Sequence, residues 1–294
     1  MVRRLFPVFG LVLALAGTPV RSAPRPPVEL QRSDKWHVNW ADDRCTLTGA
    51  FGQGDSMLFL KFAQFSPDDD FMLQVFGRAI RNGSTVSAEV DVDFGPESNA
   101  HKQLAMFGTA RDLGFMDLGK VRLDDRQSSN DPDATPLPAL GPDFYAQVQT
   151  FTFGPVRGKR YRLNMGPMGG AIKALGECTA DMVRQWGYDP AVEASLLRRT
   201  TPIASTGAWL RSSDYPSGML MTGQSATIHY RLDLDETGKV IGCHVAEITK
   251  AEGFVAITCR ALSSRARFLP ALDAKGAPVK SFFAGLVRWI MGPN

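Results

Sequence analysis

Residues 225–248 alternate apolar and polar side chains so regularly that only a β-hairpin buries them. Ile228, Tyr230, Leu232 and Leu234 fall at every second position. Asp235-Glu236-Thr237-Gly238 follows as a turn, and Ile241, Cys243 and Val245 resume the alternation. If the turn joins Leu234 to Lys239, Tyr230 opposes Cys243 on the apolar face. Thr227, His229, Arg231, Asp233, Val240, Gly242 and His244 then fall on a solvent-facing side, where His229 opposes His244. A slip of one residue would exchange the two faces, so the pattern fixes which face is buried. That face needs a cover. The next segment, read as a helix over 251–265, offers Val255, Cys259 and Leu262 at i, i+4 and i+7. Cys243 and Cys259 then point into one small core and are expected to bond, closing a loop of about 16 residues worth about 3 kcal/mol in the chain-entropy model. By elimination Cys45 pairs with Cys178. A strand over 279–291 completes a β-β-α-β unit.

The beginning of the chain sets the compartment. Residues 1–23 carry Arg3, Arg4 and Arg21 and no acid, with an apolar run from Leu5 to Gly17 too short to span a bilayer. Val20 and Ser22 are small residues placed for cleavage, so the segment reads as a signal peptide. The alternative is a retained anchor. An exported chain is free to form disulfides. The formal charge of +3 resides in this segment, so the remainder is balanced and nucleic acid is not an expected partner.

Length, 294 residues, leaves room for two domains. Residues 24–31 read as an extended leader. Strands are expected at 36–40, 57–62, 71–78, 84–94, 103–107, 115–123, 144–153 and 159–165, with turn signals between them. Residues 126–142 read as a long polar loop, and 170–186 as a helix carrying Cys178. The pattern gives a β-rich sandwich or barrel-like domain with a terminal helix over 24–197, a linker over 198–208 and the small unit over 209–294. The fold class is α+β.

The last strand runs FFAGLVRWI from Phe282 to Ile290, apolar on both faces except at Arg288. It reads either as a buried strand or as a sheet edge that receives a partner's strand. In the second case Val279, Ser281, Phe283, Val287, Arg288 and Trp289 are the candidate partner-binding residues.

Tyr215-Pro216, the stretch Ala226–Leu234, Gly238-Lys239-Val240, Ser264-Arg265-Ala266-Arg267-Phe268, Pro270-Ala271 and Gly276-Ala277-Pro278-Val279 together give residues 209–291 a further character. This region resembles the C-terminal domain of TonB-type energy transducers. The resemblance implies a periplasmic β-β-α-β domain whose last strand pairs with a short peptide of an outer-membrane transporter. The chain departs from a transducer in having a cleavable-looking signal peptide and a β-rich domain in place of a membrane anchor and a proline-rich spacer.

Residues that could carry chemistry read more plainly as structure. His37, His101, His229 and His244 offer a weak metal pair at most, in His229 and His244. Gly52-Gln53-Gly54-Asp55-Ser56 lacks the lysine of a phosphate cradle and reads as a hairpin turn. Asp68-Asp69-Asp70 fits no calcium loop and reads as a solvated turn. Met165, Met168 and Met182 read as core filling before copper ligands. Arg260, Arg265 and Arg267 gather at a helix end, where cations suit the dipole. The expectation is a non-enzymatic periplasmic protein-binding module without cofactor or metal, its partner an envelope protein or peptide such as a TonB-dependent transporter. A structural, homodimerising envelope protein and an exported enzyme with its site in the N-terminal domain are the alternatives.

Overall fold

The computed structural model describes residues 26–80, 86–95, 100–110, 112–124, 126, 137–155, 158–247 and 252–291; the expected signal peptide lies outside them. Ten strands form one sheet: β1 (Val28–Gln31), β2 (His37–Ala41), β3 (Arg44–Phe51), β4 (Leu58–Gln64), β5 (Asp70–Gly77), β6 (Ser87–Asp93), β7 (His101–Ala110), β8 (Leu113–Arg122), β9 (Thr150–Gly154) and β10 (Tyr161–Asn164). Their order is β1-β10-β9-β6-β7-β8-β5-β4-β3-β2. Every pair is antiparallel except β1 with β10.

The sheet curls into a half-barrel, which excludes the two-sheet sandwich. A single N-terminal stretch holds the curl. Beyond β1, Arg32 bridges antiparallel to Phe51 of β3, and the Gly52 amide donates to the Gln31 carbonyl at 2.9 Å. Residues 28–32 therefore touch β10 at one end of the sheet and β3 near the other. A bulge where Leu73 of β5 meets β8 falls beside Gly119, whose φ of 66° supplies the extra bend. Leu47, Leu60, Phe62, Leu73, Val75 and Phe151 fill the concave side and are fully buried.

Several elements differ from the sequence pattern, among them β1, which pairs with β10 where an extended leader was expected. The segment expected as one strand over 144–153 begins as helix α1 (Pro142–Gln147), because Pro142 sits in the first helical turn, where its fixed φ suits a helix and its missing N–H costs nothing. Strand β3 was absent from the expected set because Gly49 interrupts its alternation. The Trp36 ring lies across that glycine, so a Cβ there would stand 2.6 Å from Trp36 Cζ3. Helix α2 (Gly169–Gln185) covers the open side with Leu175, Cys178 and Met182 facing inward, and Cys178 is bonded to Cys45 of β3. Met165, Met168 and Met182 are all core residues. Helix α3 (Pro190–Ala194) follows, started by the Asp189 side chain, which accepts from the Ala191 amide.

Residues 198–203, within the stretch expected as linker over 198–208, are hydrogen-bonded to the C-terminal unit. β11 (Thr201–Pro202) pairs with β14 (Phe268–Leu269), and Arg198 donates to the Pro270 carbonyl at 2.9 Å. A short helix α4 (Ser217–Met221) leads to β12 (Ala226–Leu234), β13 (Val240–Glu247) and α5 (Glu252–Arg265). β15 (Ala271–Leu272) pairs with β16 (Pro278–Val279), and β17 (Ser281–Trp289) ends the unit. The sheet order β13-β12-β17 puts β12 in the centre.

The hairpin register corrects the expected one. The Asp235 carboxylate accepts from the Thr237 and Lys239 amides and lengthens the turn, and a bulge at Asp233/Leu234 turns Ile241 outward. Cys243 opposes Leu232, His229 opposes Ala246, and His244 opposes Arg231. The shift equals two residues, so it preserves which face is buried, and Cys243 still meets Cys259 of α5 in a disulfide. The deepest stripe of α5 is Phe254, Thr258 and Leu262, with Cys259 beside it. Arg265 at the end of α5 is bonded internally, to the Asp214 carboxylate at 2.9 Å and to the Trp209 carbonyl.

Candidate functional site

The face of the C-terminal sheet expected to meet solvent packs against the N-terminal unit. At one point Phe65, just beyond β4, stacks on His229 at 3.6 Å between ring centroids, leaving His229 only 5% exposed. Burial, then the nearby Arg288 and Arg44, push the His229 imidazole down to about 3, so it is neutral at ordinary pH. At a second point Trp186 lies 4.3 Å from the Arg231 guanidinium. The Tyr188 hydroxyl donates to Asp233 and to the Ser281 carbonyl, and Ser281 Oγ donates to Glu193 at 2.9 Å. Burial and the Asp233 carboxylate raise the Tyr188 phenol, and burial raises Glu193.

Between the two units, at the Phe65–His229 contact, a cleft of about 480 Å³ opens. Gln64, Phe65, Asp68, Asp70 and Lys120 form one wall; Tyr230, Phe283, Gly285, Leu286 and Arg288 form the other. Alternate residues of a strand point to opposite faces. Phe283 and Gly285 lie on the α5 side of β17, Leu286 and Arg288 on the other. A cleft lined by both sets runs along the backbone edge of β17. That edge is unpaired among the described residues, because β17 bonds only to β12. Gly285 makes room for the Tyr230 ring on the α5 side. The Tyr230 ring crosses it toward the cleft, and a Cβ there would sit 2.5 Å from Tyr230 Cζ.

The N-terminal wall is rigidly charged. Lys120 pairs with Asp70 at 2.7 Å and with Asp68 at 3.7 Å. Burial opposes the Lys120 charge, yet the two carboxylates hold its pKa above the ordinary lysine value; burial raises Asp68. Asp69 turns the other way, accepting from the Tyr145 hydroxyl at 2.7 Å and the Leu140 amide at 3.0 Å. Arg122, itself nearly inaccessible, bridges Asp69 and Asp124. The acidic run is therefore not a solvated turn: each carboxylate anchors the β4–β5 corner to a cation or a donor. The buried members, Asp70 and Arg122, need full pairing, and the side-chain partners of the three aspartates come from β8 and α1.

Of the candidate partner-binding residues, Phe283 and Arg288 line the cleft. Val279 lies in β16, paired with β15. Ser281 is buried against Glu193, Val287 packs into the core, and Trp289 is buried, its indole N–H bonded to Thr258 at 3.0 Å. Ala284, Gly285 and Leu286, and Gln64, Phe65 and Lys120 of the facing wall, were not signalled in the sequence. The aspartate run was visible, but nothing local places it opposite β17. His244 bonds to Asp233 at 2.7 Å rather than facing His229, and no group of three metal-ligating side chains occurs among the described residues. A second pocket of about 490 Å³ lies where β1, β9 and β10 end, but Arg32 is bonded there to the Met165 carbonyl and Asn164 to Glu29.

No helix among the described residues is long and apolar enough to cross a membrane. No protein-family model, curated protein or solved structure matches the chain, and nothing in these comparisons indicates the TonB-type family.

Proposed function

We propose that this chain is an exported, non-enzymatic protein-binding module that takes an extended segment of an envelope partner as an added strand on β17. The observation that carries the reading is the cleft along the unpaired edge of β17, lined from both faces of that strand. The two disulfides are compatible with export. Periplasmic residence and a transporter of the TonB-dependent class as partner follow from the sequence resemblance alone.

Magnitudes limit what such a site does. Residues 283–288 present about 17 Å of strand at about 3.3 Å per residue. Three or four added backbone hydrogen bonds contribute on the order of 1 kcal/mol each. That alone corresponds to roughly millimolar binding. Side chains in the cleft must supply the rest, and with it the selectivity.

The test is selection from a random heptapeptide display library on the intact protein, followed by hydrogen exchange with a synthetic winner. Slowed exchange at 283–288 is the expected result. No enrichment above background, protection confined to other strands, or a tight homodimer already protected at 283–288 would each overturn the reading.

A further inference from the structure

We infer that the strand accepted by the cleft carries an acidic side chain that pairs with Arg288, two positions from an apolar side chain that meets Leu286. This rests on strand addition at β17 and adds the chemistry of the partner to it.

The charges of the cleft single out Arg288. Lys120 already has Asp70 and Asp68 as partners. His229 is stacked beneath Phe65. Arg288 is exposed, and among the described residues it forms no ion pair. Its guanidinium reaches the opposite unit: a Cβ on Gly119, in β8, would stand 3.1 Å from Arg288 Nη2. A planar fork of donors at the cleft fits a carboxylate, which it binds through two parallel hydrogen bonds.

The geometry also selects the source of that carboxylate. Arg288 projects from the face of β17 and not along its edge, on the same face as Leu286 and as His229, which pairs with Leu286. A group that meets it must project from the face of the added strand, as a side chain does. A terminal carboxylate continues the line of the backbone. Every second residue of the added strand shares that face. The neighbour two positions from the acid therefore lies over Leu286 and Ala284, which favour an apolar group.

Peptides displayed through their C-terminus carry no free terminal carboxylate, so the same selection tests the assignment. With the wild-type chain, winners are expected to hold Asp or Glu at one fixed position. With Arg288→Glu, Lys or Arg should take that position, and with Arg288→Gln the preference should vanish. For a synthetic, C-terminally amidated winner, Glu→Gln should weaken binding about tenfold to wild type and less than twofold to Arg288→Gln. Winners that protect 283–288 without an acidic preference, or with one that survives Arg288→Gln, overturn the acidic motif and leave strand addition standing. No enrichment, or protection away from β17, overturns both. Arg288 is exposed, so these variants should fold, and unchanged melting temperatures would confirm it.

Discussion

The two units of this chain solve the burial of apolar surface at different scales. The half-barrel gathers its core from ten strands and α2, and its fully buried set includes Phe51, Phe62, Phe71, Phe94, Phe151 and Phe153. The C-terminal unit has three long strands and α5, and its core divides into two small clusters, around Leu232 and around Ile228. Each has one disulfide, but the loops differ: 133 residues for Cys45–Cys178 and 16 for Cys243–Cys259. The long bond ties the first strands to a late helix of a core that is already large. The short bond fastens α5 to the β12–β13 hairpin within a small core. A small core depends on its cross-link for existence, a large one for the position of one element.

Removing each bond separately gives the largest effect. Chain entropy assigns about 5 kcal/mol to the long loop and about 3 kcal/mol to the short one. Denaturant titration of Cys45→Ala/Cys178→Ala should show the larger loss, yet Cys243→Ala/Cys259→Ala should be the variant that loses its fold locally, seen as fast exchange in β12 and β13. A larger local loss around α2 in the first variant would reverse the comparison.

Acid acts next, through the join between the units. His229 titrates near 6.5 when unfolded and near 3 in the native chain. Between those values the unfolded state binds the extra proton, so stability is full above about 6.5 and falls as pH drops toward 3, by up to about 1.4 kcal/mol per pH unit. His229→Gln should flatten that part of the profile. Equal slopes for both proteins would show that the stack with Phe65 does not hold the imidazole neutral.

Gly285→Ala probes the small core directly. The new methyl meets the Tyr230 ring, and overpacking of this kind costs about 1–3 kcal/mol. The smallest change is Tyr188→Phe, which removes one hydroxyl bonded to Asp233 and Ser281 and should cost about 1 kcal/mol of the contact between the units. Both are measurable as shifts in denaturation midpoint.

What the sequence revealed divides along the same line. The alternation from Ile228 to Val245 found the hairpin and its buried face, and it survived a two-residue error in register because strand faces repeat every two residues. The error came from Asp235, whose bonds to two downstream amides outweighed the shorter turn. The cysteine pairing followed from the same face. In the half-barrel, Gly49 concealed β3 because only a tryptophan from elsewhere in the chain explains it, and Pro142 turned an apolar run into a helix. In the cleft, Phe283 and Arg288 were legible as parts of an unusual strand. Their counterparts Phe65 and Lys120 were not, and Asp68 was visible only as part of an acidic run, since no local pattern says what a strand will face after the chain has folded.

The stretch that joins the two ends of the curled sheet has a consequence in time. Val28 pairs in parallel with Tyr161, and Arg32 donates to the Met165 carbonyl 133 positions later. The first strand of the half-barrel must therefore wait for its tenth before it is paired. Contacts this distant along the chain close slowly. Until β10 arrives, β9 presents a bare edge to any neighbouring chain, and the interval before closure is when this protein most needs to be kept apart from its copies.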